Sequence, residues 1–112
     1  MFRGTTPTHF LWFNEVDPEI SFKTMLVTYR QGGKIILEKS KADLDFGLTE
    51  RFGEPCYYAC LRLTQEETNL FTASKTSPVE IQVRAVDYGG GVIATNPIKI
   101  SAVDVLNDEV LT

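Results

Sequence analysis

Apolar and polar residues alternate with a period of two through most of this chain, the pattern of half-buried β-strands. The clearest run is VEIQVRAVD after Pro78. Val79, Ile81, Val83 and Ala85 point one way; Glu80, Gln82 and Arg84 point the other. Phe22 to Arg30 alternates likewise, setting Met25, Val27 and Tyr29 against Thr24, Leu26 and Thr28. Gln31-Gly32-Gly33-Lys34 reads as a hairpin turn, because glycine accepts the positive φ that tight turns demand. KIILEK, Lys34 to Lys39, is then the return strand. Thr8 to Asn14 reads as a strand with Phe10 and Trp12 on one face and His9, Leu11 and Phe13 on the other. Both of its faces are apolar, so it is expected to be covered on both sides, with Trp12 in the core. Asp17-Pro18 breaks it.

The remaining strands follow the same logic. Ser40 to Glu54 is polar, with turn chemistry at Asp43, Asp45 and Gly47 and a short strand at Phe46 and Leu48. Pro55 precedes a strand from Cys56 to Leu63, with Tyr57, Ala59, Leu61 and Leu63 on one side. Gly89-Gly90-Gly91 turns the chain, Val92 to Thr95 returns, Asn96-Pro97 breaks, and Ile98 to Val105 is the last strand. Asn107 to Thr112 is acidic and reads as a loose tail or an extra edge strand. About seven strands in 112 residues predict one all-β domain, residues 1–112, a sandwich or small barrel.

The stretch LTQEETNLF, Leu63 to Phe71, interrupts this pattern. Thr64-Gln65-Glu66-Glu67 has the form of a capping box, in which the Thr hydroxyl and the Glu carboxylate each bind the other's backbone amide. The acidic pair suits the positive end of a helical turn. The expectation is a single turn crossing between two sheets, with Phe71 closing one end of the core. The competing readings are a catalytic carboxylate pair or an acidic binding spot. Glycoside hydrolysis needs carboxylates about 5–9 Å apart across a substrate, and the adjacent Glu66 and Glu67 cannot face each other.

Chemistry elsewhere is sparse. The single histidine, His9, lies in an apolar strand and reads as packed rather than as a base, and no G-x-S-x-G elbow is present. Gly89-Gly90-Gly91 lacks the Lys and the following helix of a phosphate loop. Asp43, Asp45 and Glu50 match no calcium-loop spacing. Cys56 and Cys60 lie roughly 13 Å apart along a strand at ~3.3 Å per residue, beyond the about 7 Å a disulfide spans, and with one histidine they fall short of a zinc set. Both are expected free. No cofactor or metal is expected. Net charge is -4 with eleven Lys and Arg scattered along the chain, which argues against nucleic acid. No apolar run approaches the ~20 residues that span a bilayer. The opening Met-Phe-Arg-Gly-Thr-Thr-Pro lacks a signal-peptide pattern, so the chain is expected to be made and kept in a cytoplasm, or to leave it by lysis or assembly. An aromatic platform for sugar or protein could come from Trp12, Tyr29, Tyr57, Tyr58 and Tyr88. The simpler expectation puts Trp12, Tyr29 and Tyr57 in the core and Tyr58 and Tyr88 at its margin.

RGTTPTHFLWF (Arg3 to Phe13), VTYRQGGKIILEK (Val27 to Lys39), LRLTQEETNLF (Leu61 to Phe71), VEIQVRAVDYGGGVIAT (Val79 to Thr95) and DEVL (Asp108 to Leu111) together resemble a family of small proteins. That family is encoded in phages and prophages of Firmicutes, among virion structural genes. It is similar to the immunoglobulin-like domains of phage baseplate upper proteins. The resemblance implies an immunoglobulin-like sandwich with one helical turn at Thr64–Phe71. It implies a non-enzymatic structural module that assembles with itself, as a homo-oligomer, or with tail or baseplate proteins, in the host cytoplasm and in the virion. The alternative is a carbohydrate-binding module using an aromatic platform. Structural weight is expected on Trp12, Thr64, Glu67, Phe71 and Val83.

Overall fold

The computed structural model describes residues 1, 3–13, 16–94 and 98–102, with backbone alone at residue 75 and at 98–102. The expected Asn96-Pro97 break and the acidic tail lie outside the described residues. The protein is an all-β sandwich of two antiparallel sheets. The smaller sheet has the order β1 (Thr8–Phe13), β5 (Glu54–Arg62), β4 (Asp45–Arg51). The larger runs β3 (Lys34–Ser40), β2 (Phe22–Gln31), β6 (Ser74–Asp87), and then β7 (Val92–Ala94) and β8 (Ile98–Ala102) share the far edge of β6. The strand order is not that of a constant-type immunoglobulin domain. Here β2 pairs with β3 and β6, whereas the second strand of constant-type immunoglobulin domains pairs with the fifth.

Turn chemistry sets the hairpins. Gly32 and Gly33 both have positive φ, 60° and 77°, as a two-residue turn matched to strand twist requires. At the far end of β6 the Asp87 carboxylate accepts from the amides of Gly89 (2.9 Å) and Gly91 (2.8 Å), fixing the glycine turn before β7. Regular pairing of β6 with β8 begins at Val79, as the alternation predicts. The residues before it bulge around Pro78, which has no amide to give a ladder. The Ser74 hydroxyl accepts the freed amides of Thr76 and Ser77, at 3.2 and 3.0 Å.

One core joins the two sheets. Met25, Val27 and Tyr29 of β2 and Val79, Ile81, Val83 and Ala85 of β6 pack with Leu11, Ala59 and Leu61 from the smaller sheet, closed by Leu44, Leu63 and Phe71. The alternation therefore assigned β2 and β6 to the correct faces. Three readings need correction. Ser40 to Glu54 is not mainly turn: after a 3-10 turn at Lys41–Asp43 it forms the full strand β4, hairpinned to β5. Its signal was weak because β4 is an edge strand, with Leu48 56% exposed. Asp17-Pro18 ends β1 but also opens a helical turn, α1 (Pro18–Ser21), capped by the Asp17 carboxylate on the Glu19 amide at 3.1 Å. Third, Trp12 is not core. It is 39% exposed, and Phe10 47%, because among the described residues no third layer covers the outer face of β1. Tyr57 is likewise only half-buried.

Candidate interaction surface

The Thr64–Phe71 stretch is a structural joint. Thr64 Oγ1 accepts from the Glu67 amide at 3.1 Å and Glu67 Oε1 accepts from the Thr64 amide at 2.9 Å, capping α2 (Gln65–Thr68). The other Glu67 oxygen pairs with Lys39 on β3. Burial alone would raise the Glu67 carboxyl, but Lys39 and the Thr64 cap outweigh it and hold it below the usual Glu value. The fully buried Thr68 accepts from the Gly4 amide at 2.9 Å, and its hydroxyl lies 2.9 Å from the Thr5 carbonyl. Arg3 donates to the carbonyls of Phe71 and Asn69. So α2 ties the N-terminal segment, the crossing between sheets and β3 together, with Phe71 buried beneath. Sequence reasoning missed a second clasp. The buried Gln31 side chain donates to the carbonyls of Thr72 (2.6 Å) and Ser77 (2.9 Å) and accepts from the Thr72 amide (2.7 Å).

His9 lies on the inner face, its Nδ1 2.7 Å from the hydroxyl of the buried Tyr29. Burial, then the N-terminal charge, lowers the His9 pKa; burial, then Glu67, raises that of Tyr29. This pair belongs to the core rather than to a cleft. Cys56 is buried and Cys60 half-buried, and the two are not joined in a disulfide. Among the described residues no group of three or more His, Cys, Asp or Glu is placed to hold a metal, and no helix is long and apolar enough to cross a membrane.

What the fold brings together instead lies on the outer face of the smaller sheet. Antiparallel pairing sets Trp12 opposite Tyr58 and Tyr58 opposite Gly47. Gly47 leaves the Tyr58 ring its place, which a Cβ would overlap. Phe10 stacks nearly parallel on Trp12, with centroids 5.4 Å apart and planes at 12°. Tyr58 meets both edge-on. The Arg51 guanidinium lies 4.1 Å over the Trp12 ring and 5.2 Å from that of Phe52. Phe52 occupies the β4–β5 hairpin tip, 95% exposed, with φ at 53°. A bulky residue in that left-handed region is strained. The patch is thus Phe10, Trp12, Tyr58, Arg51 and Phe52.

A sugar platform needs open, coplanar ring faces. Trp12 has a guanidinium over its face and a phenyl ring stacked parallel to it, so its own neighbours engage it. Of the other aromatic candidates, Tyr29 is core, Tyr57 half-buried and Tyr88 exposed in the turn after β6. Phe10, Arg51 and Phe52 were missed. Compared with known proteins, the chain matches no family model, no curated protein and no solved structure.

Proposed function

We propose that this chain is a non-enzymatic structural protein of a phage or prophage, an assembly and interaction module associated with the tail or baseplate. The observation that carries the interaction reading is the outer patch. Trp, Tyr and Arg are the residue types that dominate binding energy at protein interfaces, and here they cluster on a flat sheet face beside a strained, exposed Phe52. The virion setting comes from the resemblance of the chain's segments to phage-encoded proteins. The non-enzymatic reading is supported by the candidate acid–base groups, since His9 bonds a buried tyrosine and Glu67 is engaged by Thr64 and Lys39. The partners are further copies of the chain, tail or baseplate proteins, or both, with no cofactor.

Mass spectrometry of purified particles from an induced lysogen tests this reading. Peptides at a fixed ratio to tail proteins, lost when Trp12→Ala is introduced, are the expected result. Presence in the lysate but not in particles would overturn the virion role. The alternative carbohydrate reading rests on the exposure of Trp12, the chain's single tryptophan. A fluorescence titration against glycans that shifted the Trp12 emission would restore it.

A further inference from the structure

The edge of β1 has a property the other sheet edges lack. Among the described residues its one strand partner is β5. The Leu63 amide donates to the Pro7 carbonyl at 3.0 Å, which sets the phase of the antiparallel ladder. His9, Leu11 and Phe13 therefore spend their backbone bonds on β5, and Thr8, Phe10 and Trp12 turn their N–H and C=O groups to the open edge. Natural sheets guard such edges with charge, bulges or brevity. β3 carries Lys34, Glu38 and Lys39, β4 carries Asp45, Glu50 and Arg51, β7 has three residues and β8 carries Lys99. β1 carries no charge across six residues, and its outward side chains include two exposed aromatics.

We propose that two copies of this chain join antiparallel through their β1 edges, about a two-fold axis at Phe10, into one continuous six-stranded sheet. The register follows from the phase. The open-edge residues 8, 10 and 12 are all paired only when Phe10 faces the partner's Phe10 and Thr8 faces the partner's Trp12. Such a contact is self-complementary, as a two-fold interface must be. Two chains of net charge -4 repel each other overall, and β1, with no charged residue of its own, is the edge at which copies meet with least local repulsion; on the same outer face Asp45 lies across β5, on β4. Pairing would also set the two aromatic patches side by side. The inference rests on the assembly reading above and gives it a specific joint.

The test is sedimentation velocity over a concentration series. The wild-type chain is expected to dimerise. Phe10→Pro removes an outward amide that β5 does not use, and edge strands tolerate proline. It should give a monomer with an unchanged circular dichroism spectrum. Phe10→Lys, which guards the edge with charge, serves if the proline variant does not fold, and should be monomeric too. Phe10→Cys with Cys60→Ser (Cys60 faces Phe10 on β5 and would otherwise capture the new thiol) should form a disulfide-linked dimer on mild oxidation, and Ile35→Cys on β3 should not. A wild-type chain that stays monomeric overturns the proposal. So does a dimer that persists in a folded Phe10→Pro or Phe10→Lys variant, or that cross-links through Ile35→Cys. Recovery of the chain in particles reads out separately, so a failed β1 joint and a failed virion role are distinguishable.

Discussion

Phe52 is the residue where local rules are broken. A two-residue hairpin turn favours Asn-Gly because both central residues take positive φ, and the sequence places Phe-Gly there with the ring in solvent. Phe52→Asn should raise stability by about 1 kcal/mol, the lower end of the left-handed penalty for a side chain, and weaken partner binding. A melting curve checks the first and co-purification the second; a variant no more stable than the parent would mean the turn is unstrained. His9 gives the second prediction at this scale. Its pKa is lowered in the folded protein, so it binds a proton less readily folded than unfolded. Its contribution is complete above the ordinary imidazole value near 6.5 and fades as pH falls through the lowered native value. Glu67, also lowered, adds a second loss under more acid conditions. Denaturant midpoints measured across pH should fall from neutrality downward, and His9→Gln should remove the upper part of that fall.

At the scale of elements, the α2 joint and strand β6 are the parts that local chemistry dictates. Thr64→Ala removes one half of the reciprocal cap and should cost about 0.5–2 kcal/mol. A chemical denaturation midpoint unchanged from wild type would mean that the cap adds nothing to stability. Val83→Asp puts an unpaired charge among Val27, Val79 and Ile81 and should leave the chain unfolded. Normal melting would mean a strand register shifted by one. Both elements were legible because their signals are local, a four-residue motif and a period of two. β4 was harder to read. Asp45 and Gly47, which read as turn residues, lie inside it, and as an edge strand it buries little. Trp12 was misread for a related reason: alternation shows that Phe10 and Trp12 share a face, but not whether another layer covers that face.

At the scale of the molecule, the patch shows why function was less legible than fold. Its members come from β1, the β4–β5 hairpin and β5, and only strand pairing makes Trp12 and Arg51 neighbours. No window of sequence contains them together. The pairings have a further consequence, which is kinetic. The β2–β3 and β4–β5 hairpins join residues close in sequence, but β1 meets β5 with Thr8 opposite Arg62, and β2 meets β6 with Val27 opposite Val83. Chains dominated by such distant pairings fold in roughly milliseconds to seconds. Until β5 has closed over it, nascent β1 is a sticky ribbon on both edges. In a crowded solution, the time this chain takes to finish folding sets how long that ribbon is open to the wrong neighbour.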